Sequence, residues 1–476
     1  MQAQLIHLSN QQIQRHSYIF VIFAFTIFIV ALIGIFTRPL AYSAFFWPAN
    51  PVFLGLLLRF PKLRTSSAIL GAFSGYMLAD LITGNGLALT FILTLTNFVA
   101  VLSTLSILLF IQSQLKYFQD GALIIYPYIF ALICGTFLGA LFAINTIPYV
   151  PHTFMSDKQP WVDFTNWWSG EFFNAIIVLP LVLTFPKLIE IKKFFKNKRA
   201  TSFNIFDAIP FAAVMLSMIL THTYYGPGAL LYPLATLIWA ASVYSVFNIA
   251  IINSFVCLTL YHSVSFLYLY DSSNLFLKEI ISIRIGLAIL GLATLILCII
   301  SQNRKLLFNE VYYLANHDTL TETMNRRSFL KLSTRLLESK KNKQACFLML
   351  DIDHFKILND KYGHHAGDIV LRKFSDLVKE NLRSEDLFCR HGGEEFVVLL
   401  SNVEKAEALM IAERIRLQLA ETYIDIQQTN PIKITVSMGI SHTILPTKFE
   451  LQELINIADK ALYKAKDNGR NCVVVT

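Results

Sequence analysis

Residues 351–368 read DIDHFKILNDKYGHHAGD, and residues 390–396 read RHGGEEF. The first stretch follows the apolar run CFLML, which predicts a short buried strand that ends at the first aspartate. The second stretch places a Gly-Gly pair between two runs, 386–391 and 396–400, that we interpret as strands. A Gly-Gly tip accepts positive φ and lets the backbone approach a ligand closely. Both stretches therefore predict acidic side chains at the ends of strands.

Three carboxylates follow these predicted strand ends: Asp351 after the first strand, and Glu394 and Glu395 after Gly392 and Gly393. If the strands are neighbours, Asp351 and Glu394 lie within reach of one pair of cations. Hard oxygen ligands near phosphates favour Mg²⁺. A two-metal site activates a hydroxyl and steadies a leaving pyrophosphate. Acidic strand ends can equally be solvated turns, so both interpretations stay open on these residues alone.

The surrounding sequence, from residue 318 onward, predicts an α/β domain. A further strand is expected at 432–438, and helices near 367–382, 404–420 and 450–466 alternate with the strands. About 160 residues suffice for one domain with its own hydrophobic core.

Four sequence blocks follow one another in this region: HDTLTETMNRRSF, DIDHFKILNDKYGHHAGD, RHGGEEF and ADKALYKAKDNGRN. In their order and spacing they resemble the GGDEF family of diguanylate cyclases over residues 318–475. The resemblance implies a nucleotidyl-cyclase, palm-like α/β fold that condenses two GTP molecules into cyclic di-GMP and two pyrophosphates. It also implies two Mg²⁺ ions per active site, with Mn²⁺ as an alternative, and a homodimer in which each subunit holds half of the site.

The resemblance assigns the metal site to residues already singled out. It implies that Asp351 and Glu394 hold the metal ions, together with the backbone carbonyl of Ile352. Glu395 is expected to support the same cluster and to help deprotonate the attacking 3′-hydroxyl. The first acidic position of the Gly-Gly motif is a glutamate where many relatives carry aspartate, and this exchange keeps the carboxylate.

Substrate contacts are likewise implied by the resemblance. Asn359 and Asp368 are expected to read the guanine edge, and His364 to lie near the base; a site that pairs with guanine N1–H and its amine rejects adenine. The other implied contacts are Phe355 and Lys356 through backbone amides, Gly392 and Gly393 at the hairpin tip, and Lys466 and Arg470 on the triphosphate. Two alternatives stay open: Asp368 as a helix N-cap, and Lys466 with Arg470 as a solvated face.

Arg383 and Asp386 precede the Gly-Gly pair at the distance where family members carry an RxxD product-binding site. An arginine at such a site stacks on guanine and clamps phosphate, so we expect cyclic di-GMP to inhibit the enzyme. An ordinary surface salt pair is the alternative. The first block departs from the family, because Glu322 and Thr323 stand where relatives usually have glycine and leucine, which puts the local turn in doubt.

The chain before residue 300 has a different composition. Overall the sequence is 55% apolar and 15% charged, and the charges are sparse in this half. Runs that meet or approach the length of a membrane span lie near 18–36, 41–58, 66–83, 87–111, 122–144, 170–186, 208–224, 229–246, 247–269 and 283–301. We therefore expect a polytopic α-helical membrane domain over 15–301, with eight to ten spans in contact with lipid.

The charges indicate orientation and exclude a nucleic-acid partner. The formal net charge is +8, but much of the excess lies in short loops between apolar runs, at 59–65 and 187–207. Ten spans place both loops and both termini on one side, which the positive-inside rule makes cytoplasmic. We expect the bacterial inner membrane as the location, with a cytoplasmic catalytic domain at 318–476. Six cysteines without CxxC spacing are expected to be reduced.

Two stretches of the membrane half, FWPANPVFLGLLLRF and FTNWWSGEFFNAIIVLPLVL, resemble the MASE type of membrane-associated sensor domain. This resemblance implies that a signal is sensed within or across the membrane. Asp80 and Glu171 are costly in lipid and are candidates for function, although Asp80 is equally explained by hydration near the interface. Trp161, Trp167 and Trp168 are interpreted as an aromatic belt rather than a ligand cage.

Residues 302–317 connect the two halves. Leu307, Val311 and Leu314 have helical spacing, which predicts that the last span continues as a helix out of the membrane. A dimeric connector would pass a rotation or register change downstream, whereas a passive linker would not. Two alternatives for the chain stay open: a catalytically silent module that binds GTP or cyclic di-GMP, and a transporter in the membrane half.

Overall fold

Every described element up to Asn316 is helical, and every described strand follows that residue in this computed structural model. The chain divides into two units, Met1–Lys305 and Leu306–Thr476. The structure describes residues 2–37, 44–114, 125–151, 153, 155, 158–187, 205–224, 227–268, 273–339, 344–426, 431–444 and 450–476.

The helical part of the chain matches the predicted apolar runs. Its described helices are α1 Gln2–Phe36, α2 Ala49–Arg59, α3 Ser66–Ile82, α4 Leu87–Gln114, α5 Ile125–Thr146, α6 Pro160–Thr184, α7 Ile209–Thr223, α8 Tyr232–Val243, α9 Val246–Tyr268 and α10 Ser273–Asn316. Seven segments among the described residues are long and apolar enough to cross a membrane, while α2, α3 and the segment containing α8 are shorter. The number of spans therefore stays a prediction.

The predicted helical connector is present, whereas only one of the two predicted basic loops lies within the described residues. Helix α10 continues without interruption to Asn316, as the helical spacing predicts. The basic loop at 59–65 joins α2 to α3. The loop predicted at 187–207 lies almost wholly outside the described residues.

Small residues allow neighbouring helices of the first unit to approach closely. Gly71 and Gly75 of α3 face the backbone of α1, and a Cβ at residue 75 would lie 2.6 Å from the Ala24 carbonyl oxygen. In α5, Gly139 faces Ala100 of α4, where a Cβ would lie 2.6 Å from the Ala100 Cβ. Glycines four residues apart are a common contact face between apolar helices, and here they set two helix pairs.

The second unit is built on a six-stranded mixed sheet with the strand order β1-β3-β4-β2-β5-β6. The strands are β1 Met324–Asn325, β2 Gln344–Ile352, β3 Leu387–Gly392, β4 Glu395–Ser401, β5 Val436–Ile444 and β6 Val473–Val475. The helices are α11 Arg326–Ser339, α12 Phe355–Tyr362, α13 His364–Glu380, α14 Lys405–Glu421 and α15 Leu451–Asp467. The predicted fold class, an α-helical region followed by an α/β domain, is confirmed.

Strand β2 is central and is buried on both faces. Leu348 and Leu350 belong to one hydrophobic core together with Phe374 of α13. Phe347 and Met349 belong to a second core, which α11 and α15 cover. Successive residues of a strand point to opposite faces, so the unbroken apolar run before Asp351 places helices on both sides of the sheet.

The strand predicted at 432–438 is displaced, because β5 spans Val436–Ile444. Residues before Val436 pair elsewhere: Ile432 bridges Ile424, and the carbonyl of Thr435 accepts a hydrogen bond from the Asp353 amide at 3.0 Å. The strand propensity of a segment indicates that its side chains suit a sheet, but it does not identify the strand with which the segment will pair. This explains why the predicted boundaries of the strand are wrong.

Helix α15 lies directly on β5 at Gly439. A Cβ at this residue would collide with the backbone of Ala458 and Leu462. Only glycine permits this separation between helix and strand, and α15 also packs against β2. The end of α15 is thereby brought to the end of the central strand.

Candidate active site

The three carboxylates singled out from the sequence lie at one edge of the sheet. Strands β2 and β4 are antiparallel neighbours, and their register sets Asp351 opposite Glu395. Glu394 directly precedes Glu395 at the start of β4. The two strands are therefore neighbours, which is the condition under which these carboxylates come together, and the residue directly across from Asp351 is Glu395.

A hairpin holds Glu394 at this edge. Strand β3 pairs with β4, Gly392 lies opposite Glu395, and the register shifts between Arg390 and Gly392. Gly393 has a φ of 53°, a left-handed conformation that glycine adopts without steric cost. The Arg390 Nε donates to the Gly393 carbonyl at 2.8 Å. These features hold the tip in place, and the positive φ explains the glycine at residue 393.

Lys466 reaches the same edge from the last turn of α15. Its Nζ lies 2.8 Å from Oδ2 of Asp351, which is buried. Arg470 follows the helix, is exposed, and has a φ of 67°. The two basic residues predicted to contact phosphate are thus placed beside the predicted metal ligand, and Lys466 is an ion-pair partner rather than part of a solvated face.

The electrostatics of this edge raise the pKa of all three carboxyl groups. Burial raises the pKa of Asp351, and the Lys466 ammonium opposes this change. Burial and the charge of Asp351 together raise the pKa values of Glu394 and Glu395. Since each carboxylate disfavours ionisation of its neighbours, the site has an excess of negative charge that a cation would relieve.

The donor atoms at this edge suit Mg²⁺. All of them are hard oxygens, and Asp351 lies opposite Glu395 on neighbouring strands. Among the described residues, no three His, Cys, Asp or Glu side chains converge closely enough to enclose a metal ion. Mg²⁺ is usually held by one or two carboxylates together with substrate phosphates. The residues therefore fit a metal site that a nucleotide completes.

Asp353 organises the end of β2 and was not identified as a site residue from the sequence. It is buried, and its carboxylate accepts hydrogen bonds from the hydroxyls of Thr435 and Ser437, both at 2.7 Å, and from the Asn471 amide at 3.0 Å. It joins β2 to β5 and to the loop that carries Arg470. The only local signal for this role is its spacing of two residues from Asp351.

Helix α12 begins directly after this strand end. His354 precedes the helix with a φ of 59°, and the amides of Phe355 and Lys356 open its first turn. Phe355 is buried and Lys356 is exposed. The first amides of a helix have no intrahelical acceptor and suit a phosphate group, so the phosphate contacts that the resemblance implies at these two positions stay a prediction compatible with the start of α12.

Helices α12 and α13 bring the predicted guanine-binding residues together. The Asn359 side-chain oxygen is buried and has no partner among the described residues, and it lies against Gly367, where any Cβ would collide with it. Asp368 is the next residue. Helix α13 begins at His364 with Gly363 as its N-cap, so the alternative role of Asp368 as an N-cap is wrong. His364 itself is exposed.

Residues 315–472 match the family model described as "Diguanylate cyclase, GGDEF domain". This part of the chain is a GGDEF domain. The matched range contains every site residue described above, so the resemblance of the four sequence blocks to this family is confirmed.

Individual relatives extend this assignment. The chain is 39% identical over 175 residues to the uncharacterized protein YhcK of Bacillus subtilis, covering 36% of this chain and 48% of that protein. It is 26% identical over 458 residues to the probable diguanylate cyclase DgcF of Escherichia coli O157:H7, covering 92% and 90%. The chain thus spans about half the length of the first relative and most of the second.

Solved structures of GGDEF domains are also similar. The GGDEF domain of DgcB from Caulobacter crescentus, in complex with c-di-GMP, is 30% identical and covers 34% of this chain and 95% of that one, with a TM-score of 0.33. The GGDEF domain of PA1120 from Pseudomonas aeruginosa is 33% identical and covers 33% and 93%, with a TM-score of 0.31.

Arg383 and Asp386 occupy a separate place in the GGDEF domain. They precede β3, whereas the Gly-Gly tip follows it, so a strand of about 20 Å separates the two places. Arg383 donates to Glu407 at 2.6 Å, and the Asp386 carboxylate accepts from the amides of Arg383 and Ser401 at 2.9 and 3.1 Å. The two residues therefore do not form the surface salt pair that was the alternative.

The departures in the first block have visible consequences. Glu322 adopts a φ of 53°, the left-handed conformation for which relatives carry glycine. Thr323 is buried, and its hydroxyl accepts a hydrogen bond from the Arg390 amide at 3.1 Å. The turn is retained in this GGDEF domain, and Thr323 joins it to the strand that leads to the Gly-Gly tip.

Proposed function

We propose that the chain is a membrane-anchored diguanylate cyclase, which condenses two GTP molecules into cyclic di-GMP and two pyrophosphates. The observation that carries the proposal is the register of the GGDEF domain. It sets Asp351 opposite Glu395, beside a tight Gly-Gly tip, and Lys466 adds a cation at the same edge.

Guanine is bound by Asn359 and Asp368 in this proposal. The unpartnered oxygen of Asn359 supports it, because a buried acceptor without a donor is costly and the guanine amine supplies one. The Asp368 carboxylate accepts from N1–H of the base. Gly367 allows the Asn359 side chain to lie directly against α13, one residue before Asp368.

The triphosphate is bound at the start of α12 and beside α15. The amides of Phe355 and Lys356 face it, and Lys466 and Arg470 add positive charge. Both basic residues act on Asp351, which supports a position next to the metal ligands. Charge-assisted contacts of this kind are stronger than neutral hydrogen bonds.

Asp351, Glu394 and the Ile352 carbonyl are the residues that would hold two Mg²⁺ ions, with Mn²⁺ as an alternative. Bound there, the metals neutralise phosphate charge and favour ionisation of the 3′-hydroxyl. Glu395 accepts the hydroxyl proton, and its raised pKa suits a general base. The 3′-oxygen forms a bond to the α-phosphorus of the second GTP while the bond to the bridging oxygen breaks, and pyrophosphate leaves.

Two copies of the chain are needed, because each domain binds one GTP and two transfers must close the ring. We infer a homodimer whose active site forms between facing GGDEF domains. The protein contributes chiefly the positioning of the two substrates and the neutralisation of their charge. A change in the geometry of the dimer would therefore change the rate of the reaction.

Cyclic di-GMP is also the proposed inhibitor, bound at Arg383 and Asp386. The contacts of both side chains hold this segment in a defined conformation. The guanidinium remains half exposed, with 53% of its side chain accessible, which leaves a face on which guanine can stack.

The domain boundaries follow the same proposal: a membrane sensor domain at 15–301, a helical connector at 302–317 and the catalytic domain at 318–476. The seven long apolar segments support a multi-pass position in the bacterial inner membrane. The basic loop between α2 and α3 supports a cytoplasmic GGDEF domain, where GTP is available.

The test uses membranes that contain the full chain, incubated with GTP and Mg²⁺, with cyclic di-GMP as the readout. We expect product from the wild type and from Glu421→Ala, an exposed glutamate at the end of α14. The double variant Glu394→Ala/Glu395→Ala is expected to lose activity by a factor of about 10² to 10³ or more, as when charge stabilisation of a transition state is removed.

If the full-length chain makes no cyclic di-GMP, a second arm of the experiment follows. Residues 310–476 fused to a dimerising coiled coil are assayed in the same way. Product in this arm alone would mean that the membrane half restrains the enzyme. Silence in both arms would contradict the cyclase and favour a GTP- or cyclic di-GMP-binding module.

A further inference from the structure

The helices of the first unit line a cavity of about 60 Å³ that is open on one side. Its lining is polar for the interior of an apolar helix bundle and includes Trp47, Asp80, Asn97, Glu171, Asn174 and Arg284. Asp80, Glu171 and Arg284 are buried, with 1%, 8% and 4% of their surfaces accessible. Charges of both signs therefore face one small space.

A hydrogen-bond network fixes the acidic side of the cavity. The Asn50 amide donates to both carboxylate oxygens of Glu171, at 3.0 and 2.9 Å, and to the Asn97 oxygen at 3.0 Å. The Asn50 oxygen accepts from the Tyr76 hydroxyl at 2.7 Å and from the Trp47 indole at 3.3 Å. Glu171 is thereby held in one orientation by a neutral neighbour, which leaves its charge uncompensated by this contact.

Arg284 forms the basic side. Its Nε donates to the Tyr261 hydroxyl at 2.7 Å, and its Nη1 donates to the backbone and side-chain oxygens of Asn166 at 3.0 and 2.9 Å. Nη2 has no hydrogen-bond partner within the described part of the chain. Over the same residues, no ion pair joins Arg284 to Glu171, although the arginine's charge acts on that carboxyl. The guanidinium is held in place by neutral oxygens and keeps a donor for a ligand.

Holding opposite charges apart inside an apolar bundle is costly. A buried charge loses its hydration, and only a close partner with good geometry offsets that loss. Here the described hydrogen bonds of Glu171 and Arg284 are to neutral groups, and both residues line one cavity. A molecule that carries both charges would offset the cost at each end, whereas a simple cation would meet the unfavourable guanidinium and a simple anion the unfavourable carboxylates.

The cavity favours a small ligand. It is open on one side, so a molecule larger than 60 Å³ can place its charged groups in the cavity and extend outside it. The position is informative as well, because Trp47 precedes the first residue of α2 and the basic loop follows its last. The cavity lies at the end of the bundle away from that loop.

We propose that this cavity binds a small zwitterion with an ammonium and a carboxylate group, the chemistry of a small α-amino acid. The ammonium contacts Glu171 and the carboxylate contacts Nη2 of Arg284. The ligand enters from the side of the membrane opposite the basic loop. Arg284 belongs to α10, which continues to Asn316, so occupancy of the cavity acts on the helix that leads to the GGDEF domain. The binding step stands whether or not the domain is an active cyclase.

The test measures binding of radiolabelled L-alanine to the purified full chain in nanodiscs. Three competitors are added at equal concentration: glycine, which has both charges; ethylammonium, which is alanine without its carboxylate; and propionate, which is alanine without its ammonium. We expect saturable binding that glycine displaces and that the two half-ligands do not.

Two variants locate the site, and one serves as a control. Glu171→Gln and Arg284→Lys are each expected to weaken L-alanine binding at least about tenfold, the loss typical of a hydrogen bond to a charged group. Glu279→Gln is a matched change on α10 outside the cavity lining and should bind as the wild type does.

Three outcomes would overturn the proposal. These are no saturable binding to the wild type, displacement by ethylammonium or propionate as effective as that by glycine, and wild-type affinity in both cavity variants. The competition on the wild type decides the question even if a variant fails to fold.

Discussion

The two units of this chain handle polar groups in opposite ways. In the helical unit, Asn50 is a buried amide that contacts four polar side chains. In the GGDEF domain, Asp351, Glu394 and Glu395 gather at the edge of the sheet with one lysine against them. The Asn50 amide has partners for its own donor and acceptor atoms, whereas the three carboxylates leave lone pairs for a ligand. A substitution at Asn50 should therefore affect folding, and a substitution at the three carboxylates should affect chemistry.

The largest expected effect on folding comes from Asn50→Ala. The change removes the partner of Glu171, Asn97, Tyr76 and Trp47 at once, and each buried polar group left without a partner costs about 1–3 kcal/mol. We expect the free energy of unfolding of the helical unit to fall by about 3 kcal/mol or more. The measurement is the thermal midpoint of the full chain in detergent, followed by size-exclusion chromatography.

Asn145→Ala is the matched control for this change. Asn145 is exposed and donates only to the Leu141 carbonyl one turn away, so its midpoint should stay near that of the wild type. Equal midpoints for both variants would contradict the role given to Asn50.

Weakened feedback is the next effect in size. Arg383→Ala is expected to raise the concentration of cyclic di-GMP that halves activity by about tenfold, the worth of a hydrogen bond to a charged group. Glu407→Gln removes the ion pair that now engages Arg383 and should lower the same concentration severalfold. The readout is cyclase activity against added cyclic di-GMP.

Arg372→Ala, an exposed arginine on α13, is the control and should leave inhibition unchanged. Unaltered inhibition in Arg383→Ala would remove the product-binding role from this segment.

The pH dependence of the thermal midpoint tests whether the carboxylates of the GGDEF domain repel one another. Burial and the charge of Asp351 raise the pKa values of Glu394 and Glu395 in the folded domain. Ionisation therefore costs more in the folded state than in the unfolded one, and this cost disappears as the pH falls through the folded pKa. In EDTA at neutral pH, we expect Glu394→Gln/Glu395→Gln to melt slightly above the wild type, because solvent screens the repulsion between these partly exposed groups.

The measurement is the thermal midpoint of residues 306–476, a unit with its own hydrophobic cores, between pH 7.5 and 4. The difference between variant and wild type should close as the pH falls, and Mg²⁺ should reverse its sign at neutral pH. A gap that widens on acidification would mean that these carboxyls do not repel one another.

The smallest expected effect is at Glu322, which adopts a φ of 53°. Glycine takes this conformation without steric cost, although its greater freedom in the unfolded chain offsets part of the gain. Glu322→Gly should raise the free energy of unfolding of the GGDEF domain by about 0.5–1 kcal/mol. Lys331→Gly, on the exposed face in the middle of α11, should lower it by about 1 kcal/mol, and denaturant titration distinguishes the two.

The sequence predicted the parts of the GGDEF domain that depend on neighbouring residues. The apolar run before Asp351 predicted a buried strand, and the Gly-Gly pair predicted the hairpin tip at Gly393. Both features follow from local backbone preferences and from patterns a few residues long. The four blocks then added the family and the roles of the individual residues.

Such short patterns could not predict contacts between residues that are far apart in the sequence. Asp353 is satisfied by Thr435, Ser437 and Asn471, more than eighty positions away along the chain. Asn50 meets Glu171 in the same way. Periodicity states which face of an element is apolar and says nothing about the distant side chain that will meet a polar group.

Gly439 connects the packing of the sheet to the charge at its edge. Gly439 has a hydrogen atom where every other residue has Cβ, and this allows α15 to pack directly on β5. The distance between the helix and the sheet therefore depends on this glycine. The same helix carries Lys466, so its lysine reaches Asp351 only at this height. A methyl group at residue 439 would lift the cation away from the carboxylate. At the proposed site, the affinity for a triphosphate would thus depend on a residue with no side chain and no charge.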